Sequence, residues 1–174
     1  NNLGASLLQL KAPLGVYAIP GNHEYIGGAE AAVRYLTDHG INVLRDSAVF
    51  IDQRFWLVGR DDRDKSRFSG KERKKHEEVM QSVDRRYPVI LMDHQPFTLS
   101  KSVELGVDLQ LSGHTHHGQL WPLNYITSAI YEVSSGYKKI SDTHFYVSNG
   151  FGTWGPPVRL GNRPEIIRIN VTFN

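Results

Sequence analysis

The segment 89–94, VILMDH, is a continuous run of large apolar residues that ends in the polar pair Asp93–His94. A strand with one face in water alternates apolar and polar side chains, whereas this run has no polar position before its end. It therefore predicts a strand that is buried on both faces, as in a sheet covered by helices. The segments 15–20 and 107–113 are similar and predict two more buried strands.

The segments around these strands predict an alternation of strands and helices. Helices are predicted over 27–40 and 70–88. Shorter strands are predicted over 41–46, 48–52, 54–62, 144–150 and 165–173. Beyond about residue 124 the strands follow one another without helices between them. This order predicts an α/β domain of stacked sheets flanked by helices.

Composition limits the class of protein. The chain has 174 residues, of which 40% are hydrophobic, so it can form one domain with a substantial core. Its net charge of +2 gives no argument for binding nucleic acid, and the absence of cysteine excludes disulfides and thiolate chemistry. No apolar run reaches the roughly 18 residues of a membrane-spanning helix, and no signal peptide is recognisable. The apolar helical pattern at the start, without Met, indicates a fragment.

Three polar clusters each follow a predicted buried strand: GNHE at 21–24, DHQP at 93–96 and GHTHHG at 113–118. Functional groups gather at the carboxyl ends of strands in α/β sheets, so the clusters predict one shared pocket. Imidazole nitrogens and an amide oxygen suit zinc, manganese or iron. The candidate metal ligands are Asn22, His94, His114 and His116. Residues two apart in extended backbone face the same side, so His114 and His116 can reach one region, whereas His117 is expected to point away.

These blocks, together with the tail 150–166, resemble the calcineurin-like metallophosphoesterases. More narrowly, they resemble a bacterial branch of that family whose members are often tethered to a membrane. The resemblance implies a four-layer α/β/β/α sandwich. The family's Asp-x-His and Gly-Asp-x-x-Asp blocks do not precede Gly21, so we expect residues 1–174 to form a single, N-terminally incomplete domain, the C-terminal two-thirds of a metallophosphoesterase domain.

The resemblance also implies roles for individual residues in a binuclear metal centre. Asn22, His94 and His114 would bind the second metal, and His116 would bind the first. His23 would stay free of metal and stabilise charge at the scissile phosphate, while Glu24 would brace the turn. The full-length protein would hold two divalent ions (Mn, Zn or Fe). The chain alone would hold at most one and would be inactive, because the carboxylate ligands are missing.

The implied activity is hydrolysis of a phosphomonoester or phosphodiester, and a lipid-linked phosphate is one candidate substrate. Two alternatives remain open: a soluble nucleotide phosphodiesterase, and a catalytically inactive metal-binding or interaction module. The expected partners are a phosphoester substrate and a membrane surface, with a homodimer as a further possibility and no nucleic acid. The family suggests a membrane-associated protein with an extracytoplasmic catalytic domain; otherwise the protein would be cytoplasmic.

Substrate contacts are expected from Arg159 and Trp121. The apolar segment 119–131 is expected to cross the core towards the second sheet. The alternative is a hydrophobic lip beside the site, with Trp121, Tyr125 and Ile126 partly exposed. The dense charge run 60–75 is expected to be a solvated loop and helix. The alternative there is a capping loop in which Arg60, Arg63 or Arg67 contacts a phosphate.

Overall fold

The computed structural model describes residues 4–172. The helices in this range are α1 (Gly4–Leu7), α2 (Asn22–Gly27), α3 (Ala29–Asp38), α4 (Lys65–Ser69), α5 (His76–Met80), α6 (Leu99–Glu104) and α7 (Leu123–Ile130). The strands are β1 (Tyr17–Ala18), β2 (Asn42–Val43), β3 (Ser47–Ile51), β4 (Phe55–Gly59), β5 (Val89–Met92), β6 (Leu109–Ser112), β7 (Gly136–Ile140) and β8 (Thr143–Val147). A single 3₁₀ turn covers His116–Gly118.

The strands form two sheets within the described residues. The larger sheet has the order β3-β4-β5-β6-β8-β7, and the smaller one pairs β1 with β2. In the larger sheet β4, β5, β6 and β8 run parallel, while β3 and β7 pair antiparallel at the two edges. The parallel strands bring the carboxyl ends of β5 and β6 side by side, so the segments that follow them start from the same edge.

The larger sheet buries one face under helices. Val89 and Leu91 of β5 are 0% and 1% exposed, and they pack with Val79 and Met80 of α5 in one apolar cluster. A second cluster joins Leu99, at the start of α6, to the β8 side chains. Buried and half-buried residues alternate along β8, and Thr143, Phe145 and Val147 are the buried ones. The two clusters fix β5, β6 and β8, whose ends carry the polar segments.

The mixed α/β fold expected from the sequence is confirmed: a six-stranded sheet carries helices on one face, and a second, smaller sheet contains β1 and β2. The predicted strands 15–20, 89–94 and 107–113 contain β1, β5 and β6, and the predicted helix 27–40 corresponds to α3. Burial on both faces is not found: β5 alternates buried and half-buried residues, and both residues of β1 are half-buried. Among residues 4–172, no helix has the length and hydropathy needed to cross a bilayer.

The predicted helix 70–88 is wrong, because only His76–Met80 is helical. Gly70 ends α4 in a left-handed conformation with φ 67°. Beyond it the chain is tied to buried carboxylates: the Lys74 backbone N–H donates to Asp46 Oδ2 at 2.8 Å, and Arg73 Nη1 lies 3.0 Å from Asp93 Oδ1. These contacts keep the segment before His76 out of a helix.

The start of the charge run is buried rather than solvated, which corrects the expectation for 60–75. Arg60, Asp61 and Asp62 are 2%, 1% and 0% exposed. Arg60 Nε lies 3.5 Å from Asp46 Oδ1, and Lys65 Nζ lies 3.0 Å from Asp61 Oδ2. Asp61 thus pairs with a lysine of the same segment and Arg60 with an aspartate outside it, and pairing is what makes burial of charges tolerable.

Two further expectations for the second half are wrong. Segment 119–131 does not cross the core; it contains α7, which is exposed along much of its length. Residues 165–172 of the predicted strand 165–173 form no strand, and residue 173 lies outside the described range. Glu165 instead accepts hydrogen bonds from the Asn149 backbone N–H at 2.7 Å and from Ser148 Oγ at 3.2 Å. Its carboxylate holds the end of β8 in place of a strand ladder.

Candidate metal centre

Three segments at one edge of the fold bring a set of donor atoms together. Asn22 begins α2, His94 follows β5 by two residues, and His114 follows β6 by two residues. Hydrogen bonds between backbones hold the last two segments in register, since the Gly113 N–H donates to the His94 carbonyl at 3.0 Å. Asn22, His94 and His114 line one pocket of about 390 Å³ together with His23 and His116.

The three innermost donor atoms are spaced like the ligands of one metal ion. Asn22 Oδ1 lies 3.0 Å from His94 Nε2 and 3.3 Å from His114 Nδ1. The two ring nitrogens lie 3.3 Å apart. Metal–ligand bonds of about 2.0–2.1 Å place neighbouring ligand atoms about 2.9–3.4 Å apart, for octahedral through tetrahedral geometry. All three separations fall in that interval, so the residues present fit a divalent cation.

Burial keeps the imidazoles neutral, which is the state that binds a metal. Burial, and after it the nearby rings of His114, His116 and His23, lower the pKa of His94 to about 3. Burial also lowers the pKa of His114. The pKa of His116 is lowered by burial and by the Arg159 cation. A proton therefore competes poorly with a metal at these nitrogens.

Gly21 is required for this close approach. An added Cβ at Gly21 would lie 2.8 Å from His94 Nε2, which is closer than side chains pack. The turn is braced by Glu24, whose Oε2 accepts a hydrogen bond from the Gly21 backbone N–H at 2.7 Å. This is the bracing role expected for Glu24. The turn thus brings Asn22 against His94 with no side chain between them.

The histidine turn after β6 is held in an unusual backbone conformation. His114, His116 and His117 have φ values of 68°, 47° and 47°, in the left-handed region that residues other than glycine seldom adopt. Such strain concentrates at functional sites, where the surrounding structure enforces it. Thr115 provides part of that enforcement, because its hydroxyl donates to the Ser134 carbonyl at 2.6 Å and accepts from the His117 N–H.

The remaining histidines are placed as follows. His116 and His23 line the same pocket, and their rings are close enough to influence the pKa of His94. Neither makes a hydrogen bond to the Asn22–His94–His114 set among the described contacts. His117 turns away, towards Ser134 Oγ at 3.4 Å, as the sequence predicts. The metal and catalytic roles of these residues remain predictions that the geometry accommodates.

Arg159 lies beneath the pocket-forming loop rather than in the pocket lining. Its Nη2 donates to the carbonyls of Asn149, Gly150 and Gly152, and lies 3.2 Å from His116 Nδ1. Its Nη1 donates to Asn162 Oδ1 at 2.9 Å. In this structure Arg159 therefore holds the loop that follows β8 against His116. A direct contact between Arg159 and substrate stays a prediction.

The pocket wall opposite the histidines is apolar. Leu123, Ile126 and Ile130 of α7 line it, together with Tyr131 and Trp154. Trp121 is not in the lining; it precedes α7 and is 59% exposed. The exposure of Trp121, Tyr125 and Ile126 matches the alternative interpretation of 119–131 as a hydrophobic lip.

Gln119 is a structural element of the site that the sequence interpretation missed. It is completely buried, and its side chain bonds Trp154 on both sides: Oε1 accepts from the Trp154 N–H at 2.8 Å, and Nε2 donates to the Trp154 carbonyl at 2.8 Å. It thereby fastens the 149–158 loop to the histidine turn. Its position directly after GHTHHG was the only available signal.

The centre contains few charged ligands. Within residues 4–172 no three histidine, cysteine, aspartate or glutamate side chains are grouped so as to hold a metal. The convergent set consists of two imidazoles and one amide, all neutral. The carboxylate of Asp64 raises the pKa of His114 through space, against the larger effect of burial, but it does not line the pocket.

Comparison with known proteins identifies the family. The family model described as calcineurin-like phosphoesterase matches residues 2–118. An uncharacterized metallophosphoesterase of Aquifex aeolicus is 37% identical over 171 residues, which cover 97% of this chain and 65% of the relative. An uncharacterized metallophosphoesterase of Helicobacter pylori is 34% identical and is covered over 45% of its length. The "Transmembrane protein with metallophosphoesterase domain" of Bos taurus is 31% identical and is covered over 40%.

The chain thus spans from less than half to about two-thirds of the length of these relatives. No solved structure matches it. The family model covers α2, β5 and β6 and all three polar clusters, which are the segments that assemble the Asn22–His94–His114 set. Members of this family are phosphoesterases that use divalent metals. Sequence match and donor geometry agree, and the chain belongs to the calcineurin-like phosphoesterase family.

Proposed function

We propose that the chain provides one metal position and the acid–base histidine of a binuclear, metal-dependent phosphoester hydrolase. The observation that supports this most directly is the spacing of 3.0–3.3 Å among Asn22 Oδ1, His94 Nε2 and His114 Nδ1. When bound, two divalent cations would polarise the phosphoryl group and activate water for attack on it. The proposed substrates are phosphomonoesters or phosphodiesters.

The side chains of the chain itself divide the remaining work. Asn22, His94 and His114 hold one cation, and His116 reaches the second from the other end of the histidine turn. His23 makes no hydrogen bond to the ligand set among the described contacts, so its ring is available to donate a proton to the leaving oxygen or to oppose negative charge in the transition state. Arg159 contributes indirectly, by holding the loop carbonyls that surround His116.

The described residues supply no carboxylate that bridges two cations. Two divalent charges held near each other repel strongly unless anionic ligands offset them. We therefore propose that residues 1–174 alone bind at most one cation, at the Asn22–His94–His114 position. Zinc, manganese and iron all suit this donor set. A protein with both positions filled takes its acidic ligands from outside residues 4–172.

The test measures metal content and turnover in parallel. The 174-residue chain and the full-length gene product are each saturated with Mn²⁺ or Zn²⁺, desalted and analysed for bound metal. Both are then assayed on an aryl phosphomonoester and an aryl phosphodiester. One metal and no turnover for the chain, with two metals and turnover for the full-length product, support the proposal. Metal binding without turnover in both would favour the inactive metal-binding module.

We further propose a substrate that carries a hydrocarbon group and is reached at a membrane surface. The support is the apolar wall of the pocket, in which Ile126 and Ile130 are 54% and 57% exposed, together with the exposure of Tyr125 (66%) and Phe151 (74%) in the segments that carry the wall. Neither 119–131 nor 149–158 contains a charged residue, and the first charged residue after 119–131 is Glu132. Exposed apolar surface of this kind marks binding sites for apolar partners.

Two tyrosines allow a matched test of this surface. Tyr125 on the lip and Tyr137 on the edge strand β7 are 66% and 61% exposed. Tyr125→Ser should weaken co-sedimentation with phosphatidylcholine vesicles severalfold, whereas Tyr137→Ser should leave it unchanged. Vesicles or detergent should also raise turnover of a long-chain phosphoester. Efficient turnover of nucleotide phosphodiesters without any effect of vesicles would support the soluble nucleotide phosphodiesterase instead.

A further inference from the structure

Successive ring contacts link the metal centre to Arg63, an arginine outside the pocket lining. The rings of His114 and Tyr131 have centroids 6.2 Å apart, and those of Tyr131 and Phe97 lie 4.7 Å apart. The guanidinium carbon of Arg63 lies 4.1 Å from the centroid of Phe97. A guanidinium at this distance from a ring is held by cation–π attraction. Arg63 is therefore positioned beside the centre although it lies on an exposed loop.

The N–H donors of Arg63 have no hydrogen-bond partner among the residues that the structure describes. Among residues 4–172 Arg63 makes no hydrogen bond and no ion pair, and the Tyr131 hydroxyl also has no hydrogen-bond partner. The arginines elsewhere around the site are engaged: Arg73 binds Asp93, Arg60 pairs with Asp46, and Arg159 binds loop carbonyls. Arg63 thus offers a planar set of N–H donors, the geometry that recognises phosphate or carboxylate in bidentate fashion.

The charges near Arg63 limit which ligands can bind to its guanidinium. The Arg63 cation acts on His114 and Tyr131 through space, although burial has the largest effect on the pKa of both groups. The Arg63 cation lowers the pKa of both groups, and the Asp64 carboxylate raises it. At a distance the charges of Arg63 and Asp64 partly cancel, so the surface around Arg63 does not attract every anion. It favours an anion that is placed against the guanidinium by other contacts.

Arg63 is not in the lining of the pocket that contains His114, whereas the phosphoryl group to be hydrolysed would be held in that pocket. We propose that Arg63, assisted by the Tyr131 hydroxyl, recognises a second anionic group on the substrate, separate from the phosphoryl group that is hydrolysed. The substrate class is then a phosphoester that also carries a phosphate or carboxylate. This inference rests on the proposed phosphoester hydrolysis and narrows its substrate.

Arg67 provides a matched control for Arg63. It lies in the same charged segment and its guanidinium also faces a phenylalanine, with its carbon 5.6 Å from the Phe68 centroid. Neither arginine is in the pocket lining, but Arg63 is among the charges that lower the pKa of His114 and Arg67 is not. Both residues are exposed, so Arg63→Ala and Arg67→Ala remove the same charge at little cost to folding. Tyr131→Phe removes only the hydroxyl and keeps the ring contacts.

The kinetic test uses two aryl phosphodiesters that differ only in whether the non-leaving ester group ends in a carboxylate or a hydroxyl. In the full-length gene product, Arg63→Ala should raise KM for the carboxylate ester at least tenfold and change kcat less than twofold. KM for the hydroxyl ester should change less than twofold. Arg63→Lys should recover part of the loss and Tyr131→Phe should show a smaller one, while Arg67→Ala should match the unmodified protein. Equal KM changes for both esters, or none, would overturn the proposal.

A binding measurement separates this inference from the proposed activity. Pyrophosphate binding is measured calorimetrically in metal-free buffer at low ionic strength. Arg63→Ala should weaken it at least fivefold relative to Arg67→Ala. If the unmodified protein hydrolyses neither ester but this difference is found, anion recognition by Arg63 is supported and the proposed hydrolase activity is refuted. If both esters are hydrolysed and Arg63→Ala binds pyrophosphate as tightly as Arg67→Ala does, anion recognition by Arg63 is refuted and the proposed hydrolase activity is supported.

Discussion

The low pKa of His94 should make the metal-free protein sensitive to acid, and His94→Gln should remove a defined part of that sensitivity. Burial and three neighbouring imidazoles lower the pKa of His94 from its ordinary value to about 3. The folded protein therefore keeps this ring neutral at pH values where the unfolded chain protonates it. A group whose folded pKa is lowered stabilises the fold above its unfolded pKa and loses that contribution as the pH falls.

The size of the effect between pH 8 and pH 5 follows from the unfolded state. An unfolded histidine has a pKa of ~6.5, so the unfolded ring is protonated over the last ~1.5 pH units of the change from pH 8 to pH 5 while the folded ring stays neutral. At about 1.36 kcal/mol for each unit, the loss is about 2 kcal/mol. This figure is the same for any folded pKa below about 4, because the folded ring is then neutral throughout the interval.

The assay is urea denaturation of the protein and of His94→Gln in EDTA at pH 8 and pH 5. The difference between the two proteins is the informative quantity, because other groups titrate as well. Burial raises the pKa of Asp62 to about 6, so its contribution to stability grows as the pH falls, with the opposite sign. The stability of the protein relative to His94→Gln should fall by about 2 kcal/mol between pH 8 and pH 5.

His76 tests the same reasoning away from the metal centre. Its pKa is lowered to about 3 by burial and by the cations of Arg60, Arg73 and Lys101. His76→Gln should therefore show the same pH-dependent difference. If neither variant changes the pH dependence by more than 0.5 kcal/mol, a threshold of about a quarter of the expected effect, the buried histidines are protonated in the folded state and the reasoning fails.

Three further outcomes are expected. His114→Ala should lower Zn²⁺ affinity at least a hundredfold in equilibrium dialysis, because two ligands remain, and unchanged affinity would place the metal elsewhere. His23→Gln in the full-length gene product should leave metal content intact and lower turnover about 10²–10⁴-fold on an ester with a poor leaving group; equal turnover would remove His23 from the mechanism. Gln119→Leu should destabilise the fold by about 1–3 kcal/mol in urea because it leaves the Trp154 backbone unpaired, and a neutral result would mean that water replaces the side chain.

The ligand set was predictable because it depends on local patterns. His94 and His114 follow β5 and β6, which are parallel neighbours with their carboxyl ends at one edge, and Asn22 follows β1 of the smaller sheet. The sequence therefore predicted which residues meet, and it also predicted the opposite direction of His117. The 3.0–3.3 Å spacing depends on Gly21, whose need was not visible before the position of His94 was known.

The incorrect expectations depend on long-range partners. The helix predicted over 70–88 fails because Arg73 and Lys74 bind carboxylates that lie 20 or more residues away, at Asp93 and Asp46. Their local composition favours a helix and gives no sign of those partners. The segment 119–131 looked like core because it is apolar, yet its helix covers a pocket. Hydrophobicity alone does not distinguish a side chain that packs in the core from one that awaits a ligand.

Gln119 has a consequence for anyone who wishes to exchange parts between members of this family. Its amide bonds both backbone groups of Trp154, so the turn that carries His114 and the loop that carries Trp154 are one unit separated by some 35 positions in sequence. A chimaera that takes its apolar lip from one relative and its histidine turn from another would break this pairing. Segments 113–131 and 149–162 should be transplanted together, and substrate preference should follow the pair rather than either half.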